Sequence, residues 1–343
     1  MRMNFTFAAR ALLATLIAGS ALAAAADDKV DKVVVATNWR AQPGHGGFYQ
    51  ALADGTYKKY GLDVDIQQGG PQVNNRPMLP AGKVDFLMSG NMLLPFDSVK
   101  QGIPSVVVAA YFQKDPQAII AHPGQGFEKF SDLTKAKTVL LAKDGQISYW
   151  QWMKKAYGMR DAQIRPYNYS LSQFLADKEA VQQAYATSEP LAVEKQAGFK
   201  PVVLSLADAG WSTYGMVIET RQDLVKNKPD MVRRFVEATN IGYYNYLYGD
   251  RSKGDALIKQ INPDIADDYI EKSIPILRAH IDVGDALTQG IGAMTDARMK
   301  DFYDKSVAAG LYKAGDFKLA DVYTTQFVDK GVGLDLRKKL TAK

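Results

Sequence analysis

Two rhythms of apolar and polar residues run along this chain. Up to about residue 220, short runs rich in β-branched residues recur between Gly, Pro, Asn and Asp positions, the pattern of buried strands. These runs are KVVVAT (32–37), LDVDIQQ (62–68), VDFLMSG (84–90), PSVVVAAYF (104–112), QAIIAH (117–122), TVLLAK (138–143), a strand within AVQQAYATSEP, PVVLSL (201–206) and STYGMVIET (212–220). Between several of them, apolar residues recur at helical spacing: GGFYQALADGTYKKYG, a stretch around 71–82, MLLPFDSVKQG, and ISYWQWMKKAYGM, whose end is marked by Gly158. Strand, helix and strand in alternation predict an α/β fold with a parallel sheet.

The rhythm then changes to helices. In NKPDMVRRFVEATNIGYYNYLYGD, Pro229 suits a first helical turn, and Met231, Val232, Phe235, Val236 and Ile241 fall on one face. GDALIKQI, PDIADDYIEKSIPILRAHI, MTDARMKDFYDKSVAAG and LADVYTTQFVDKG continue the series. At 343 residues the chain exceeds the usual size of a single core, so two α/β lobes are expected. No Pro/Ser-rich linker divides them. The extended stretches at 111–121 and 211–219 serve instead as paired crossovers, giving lobe 1 from 27–115 and 216–343 and lobe 2 from 116–215, with a hinge between.

Residues 1–26 have a different character: Arg2 and Arg10 precede an apolar stretch too short for a bilayer span, followed by small residues, the layout of a secretory signal peptide. Its removal would lower the formal net charge from +5 to +3, a balance that gives no footprint for nucleic acid. The basic run LRKKLTAK at the C-terminus reads as a solvated tail. The sequence contains no Cys, which excludes thiolate nucleophiles, Cys-ligated zinc and a lipidated cysteine anchor. Only three His (His45, His122, His280) are present, far apart in sequence, so no metal or other cofactor is expected. The expectation is an exported, freely diffusing monomer, not embedded in a membrane.

The segment NWRAQPGHGGFYQ follows the first strand. Its glycines invite comparison with a dinucleotide loop, but the third glycine of G-x-G-x-x-G would fall at Tyr49. Ligands of open α/β sheets sit at the carboxyl ends of strands, which places Asn38, Trp39 and His45 at a candidate mouth. Trp39 can stack on a planar ligand or prop the loop; Tyr49 can join it or belong to the core. Ser89, Gly90 and Asn91 end the third strand, where they can cap the next helix or offer hydrogen bonds to a ligand. Gln146, Ser148 and Tyr149 open a helix in the middle segment in the same way. Glu189, between a strand and Pro190, is a candidate acceptor for ligand N–H groups, and Trp211 and Tyr214 can line the cleft or pack the hinge.

Trp39, His45, Gly47 and Tyr49, spaced W-x-x-x-x-x-H-x-G-x-Y before YKKYGLDVDI, are followed in order by AGKVDFLMSGN, GIPSVVVAAYFQKDPQAIIAH and YATSEPLAVEKQAG. In this order and spacing the chain, from about Lys32 to Val328, resembles the periplasmic solute-binding proteins of ABC importers in the nitrate/sulfonate/taurine and thiamine-pyrimidine-precursor group. The resemblance implies a type II periplasmic binding protein: two α/β lobes joined by two hinge crossovers, with a helical C-terminal part. It also implies a periplasmic role, delivering cargo to a permease driven by a cytoplasmic ATPase. The spacing around Trp39 and the SEP glutamate look most like binders of an aminopyrimidine, with Trp39 and Tyr49 flanking the ring and Glu189 on its amino group. Ala41 stands where such proteins often carry proline, and Arg40 adds a cation beside the wall. Flavin, sulfonate, taurine or nitrate ligands therefore stay open. The fungal pyrimidine synthases of the same family carry a cysteine-containing segment that this Cys-free chain lacks, so binding rather than catalysis is expected.

Overall fold

A computed structural model describes residues 30–70 and 73–342. The signal-like segment and part of the stretch expected to be helical near residue 71 lie outside these. Ten strands form two five-stranded sheets. In chain order they are β1 (Asp31–Ala36), β2 (Leu62–Gln67), β3 (Phe86–Asn91), β4 (Ser105–Phe112), β5 (Gln117–Ala121), β6 (Val139–Leu141), β7 (Ile164–Pro166), β8 (Val181–Tyr185), β9 (Val202–Ser205) and β10 (Gly215–Arg221). The first sheet has the order β2-β1-β3-β10-β4 and the second β7-β6-β8-β5-β9. The chain therefore crosses between sheets twice, from β4 to β5 and from β9 to β10.

The sheets are mixed rather than parallel. β1 pairs in parallel with β2 and β3, but β10 returns from the second sheet and inserts antiparallel between β3 and β4. In the second sheet β6 runs parallel to β7 and β8, and β5 antiparallel to β8 and β9. All eight residues of β4 are buried although it ends its sheet. C-terminal segments cover its edge: Val107 N–H donates to Val322 O, Thr324 N–H to Val107 O, and Ala110 N–H to Gly292 O. This corrects the helical reading of LADVYTTQFVDKG. Only Leu319–Asp321 forms a 3-10 turn, because Tyr323 then bridges to Val107 along a sheet edge that would otherwise expose unpaired amides. Of the helix expected around 71–82, the described residues keep a single 3-10 turn, Arg76–Met78.

The glycines of GHGG have a packing explanation. Helix Gly46–Ala53 lies against the 20-residue helix Pro229–Tyr248, which presents Tyr243 and Tyr246. A Cβ on Gly47 would stand 2.2 Å from the Tyr243 ring, and one on Gly242 2.2 Å from the Gly47 carbonyl oxygen. The two helices thus touch backbone to backbone, with the tyrosine rings closing over the contact. Phe48, Tyr111 and Tyr243 continue this aromatic core above the first sheet, Tyr111 and Tyr243 stacking at 4.6 Å.

Candidate functional site

A cavity of about 680 Å³ opens between the two sheets, where the ends of β1, β5, β8 and β10 approach one another. One wall is the loop after β1. The Thr37 hydroxyl donates to Trp39 O at 2.7 Å, Gly69 N–H donates to the same oxygen at 3.1 Å, and Asn262 Nδ2 donates to Ala41 O at 2.8 Å. Pinned from β2 and from the C-terminal helices, this loop holds Asn38, Trp39 and Arg40 at the cavity.

His45 ends the 3-10 turn Pro43–His45 and is wholly buried, with neither ring nitrogen hydrogen-bonded. Burial drives its pKa down to about 3, so the imidazole is neutral at physiological pH and offers one donor and one acceptor to the cavity it lines. Met216 forms part of the floor on a left-handed backbone, φ 46°, and its sulfur accepts the Tyr243 hydroxyl at 3.1 Å. A thioether residue held in this conformation where β10 begins is local strain at the junction of the lobes.

The opposite wall comes from the second sheet. Register places Gln117 opposite Tyr185 and Ile119 opposite Gln183, so Gln117, Gln183 and Tyr185 share a face. Glu189 begins the helix Glu189–Ala197. Its carboxylate accepts the Tyr185 N–H at 2.7 Å and the Tyr167 hydroxyl at 3.0 Å. Desolvation raises its pKa, and these hydrogen bonds pull it back. Tyr169, on a left-handed backbone with φ 64°, lies between Tyr167 (5.3 Å) and Trp39 (5.2 Å). An aromatic row therefore crosses the cleft from one lobe to the other. Two ion pairs cross it at the rim, Lys195 with Asp268 at 3.2 Å and Lys272 with Glu194 at 4.0 Å.

Of the residues singled out in the sequence, the fold brings Asn38, Trp39, His45 and Glu189 to this cavity. The others lie outside its wall, each for a visible reason. Tyr49 is wholly buried on the core side of its helix. The Ser89 hydroxyl donates to buried Glu219 and accepts from Arg76 Nη1 at 2.8 Å, serving an ion pair inside the first sheet. Gly90 packs beside the Asn38 amide, and Asn91 Oδ1 accepts Leu93 N–H at 3.0 Å from one residue ahead of the helix N-cap, Met92. Gln146 Nε2 donates to Leu141 O at 3.0 Å, while Ser148 and Tyr149 are buried at the junction of two short helices. Trp211 packs on Trp152 (5.3 Å) and Phe302 (5.0 Å). Tyr214 carries the Arg298 guanidinium over its ring at 4.0 Å and accepts Thr295 N–H at 3.0 Å, so both residues pack the hinge side.

Sequence reasoning missed Tyr167, Tyr169, Gln117, Gln183, Tyr185 and Tyr269 as cavity residues. Strand geometry puts Gln183 and Tyr185 on one face of β8, but VQQAY shows no apolar/polar alternation that would say which face meets the cavity. Tyr167 and Tyr169 follow β7, a three-residue strand too short to announce itself.

Two mixed sheets, two crossings and a cleft between them define the type II periplasmic binding protein fold. The periplasmic aliphatic sulphonate binding protein SsuA from Escherichia coli shares it, with a TM-score of 0.60 at 12% identity over 87% of this chain and 90% of that one. Residues 42–249 match the model described as NMT1/THI5 like, and the chain belongs to that family. In sequence it is similar to a 4-amino-5-hydroxymethyl-2-methylpyrimidine phosphate synthase of Saccharomyces cerevisiae, 26% identical over 131 residues. That match spans 38% of each protein, so the chain covers well under half the length of this relative. A putative thiamine biosynthesis protein of Haemophilus influenzae is 24% identical over 174 residues, 49% of this chain and 55% of that protein. Among the described residues no group of three or more His, Cys, Asp or Glu is placed to hold a metal ion, and no helix is long and apolar enough to cross a membrane.

Proposed function

We propose that this chain is the periplasmic substrate-binding component of an ABC importer, and that its cargo is a small planar nitrogen heterocycle, a thiamine pyrimidine precursor or related pyrimidine. The observation that carries this reading is the aromatic row of Trp39, Tyr169 and Tyr167 ending on Glu189, with the neutral imidazole of His45 in the same cavity. Ring faces suit a flat guest, and the carboxylate and imidazole suit exocyclic amino and ring nitrogen groups. The relatives named for pyrimidine phosphate synthesis and thiamine biosynthesis support the same ligand class.

Sulfonate or nitrate fits the cavity less well. Its lining cations each already face a carboxylate: Arg40 faces Asp264, Lys195 Asp268, and Lys272 Glu194. Because the guest touches both lobes only when they approach, its binding free energy draws the hinge closed, and the closed form is what a permease with its cytoplasmic ATPase would receive. A thermal-shift screen of pyrimidines, flavins, alkanesulfonates and nitrate tests the assignment. Pyrimidines should raise the melting temperature, and Trp39→Ala should weaken their binding by tenfold or more, the loss of roughly 1.5 kcal/mol of stacking and burial, with the fold intact. A rise with sulfonates alone would overturn it.

A further inference from the structure

The charges around the cavity narrow the cargo further. Glu189 has both carboxylate oxygens engaged, one by the Tyr185 N–H and one by the Tyr167 hydroxyl, so its geometry is fixed without a ligand. The start of its own helix and these donors steady the charge, but among the described residues no Lys, Arg or His lies within ion-pair distance of it. Asp115, in the crossing from β4 to β5, is wholly buried. Its Oδ1 accepts the N–H of the cavity residue Gln117 at 3.1 Å, and its Oδ2 has no partner. Desolvation pushes its carboxyl up to about 7, and the Arg298 guanidinium offsets this only in part. That guanidinium is already committed to the carbonyls of Gln113, Ser212 and Thr213 and to the Tyr214 ring. With the rim lysines and Arg40 paired as described, and Asp115 pushed up to about 7 by desolvation, Glu189 is the interior carboxylate left without a counter-ion beside several electron-rich ring faces.

Resting on the reading of this cleft as the ligand site, we infer that the recognised group of the cargo carries a positive charge, a protonated or alkylated ring nitrogen held by Trp39, Tyr167 and Tyr169 with Glu189 as counter-ion. Ring quadrupoles attract a desolvated cation more strongly than a neutral amine, and a buried carboxylate with its hydrogen bonds made still gains from an opposite charge. The wholly buried His45, neutral and with a free acceptor nitrogen, adds no competing positive charge and accepts from an N–H of the same group. A neutral guest brings no opposite charge to Glu189.

Calorimetric titration of the exported chain with two matched pairs tests the inference. The first pair is 4-amino-5-hydroxymethyl-2-methylpyrimidine and its N-methylpyrimidinium derivative. The second is 3,3-dimethylbutan-1-ol and choline, alike in shape and different in charge. The cation should bind about tenfold or more tighter than its neutral partner in at least one pair, and Glu189→Gln should bring that ratio towards one. A melting curve of the variant checks that it folds. Choline serves where N-methylation clashes with the wall. If the neutral pyrimidine binds and neither pair shows a preference for charge, this inference falls while the heterocycle assignment stands. If the preference survives Glu189→Gln unchanged, the counter-ion role is overturned. If none of the four compounds binds, both readings fall.

Discussion

At the scale of single residues, His45 shows how burial sets chemistry. A free imidazole titrates near 6.5, whereas this one, without a hydrogen bond and out of water, is lowered to about 3. Below pH 6.5 the unfolded chain gains a proton on this ring that the folded chain refuses. The stabilising contribution is therefore complete above pH 6.5 and is lost progressively as the pH falls towards 3. Over the drop from pH 7 to pH 4.5 this amounts to roughly 2–3 kcal/mol. Urea unfolding of the wild type and His45→Gln across that range should show a shallower pH dependence in the variant; parallel curves would mean that the imidazole is not held neutral. Asp115 shifts the other way, up to about 7 by desolvation, so the comparison with a single-site variant is what isolates His45.

Helices and strands explain which residues were legible in the sequence. The strands of the first sheet announce themselves as runs such as KVVVAT and PSVVVAAYF because their residues are buried on both faces or in alternation. The insertion of β10 between β3 and β4 was not legible, since STYGMVIET reads as extended whatever its partner. The stretch around Tyr323 fits a helix by its apolar spacing, and only the edge of β4 decides otherwise. Gly46 and Gly47 were visible as a turn-like cluster, but their cause lies about two hundred residues away in the helix Pro229–Tyr248. Gly47→Ala should therefore cost about 1–3 kcal/mol by overpacking against Tyr243, measurable as a lowered denaturation midpoint at constant slope. An unchanged midpoint would show that the two helices can separate freely.

For the whole molecule, one wall of the candidate cavity could be read from one dimension. The loop after β1 stands at the carboxyl end of a clear strand, so Asn38, Trp39 and His45 were found. The facing wall depends on β7 and on the register of β8 against β5, long-range pairings that leave almost no local trace. The lobes meet through Trp39 and Tyr169 and through rim ion pairs that are half exposed or more at Lys195 and Asp268. Exposed pairs of this kind contribute about 0–1 kcal/mol each, so on the proposed reading closure depends chiefly on what occupies the cavity. A crystal structure of the chain grown with 4-amino-5-hydroxymethyl-2-methylpyrimidine tests that dependence most directly. The account predicts ring density in the cleft, against Trp39 and within hydrogen-bonding reach of Glu189. Density for the ring elsewhere, beside Trp211 and Tyr214 or at the Ser89–Asn91 strand end, would contradict it.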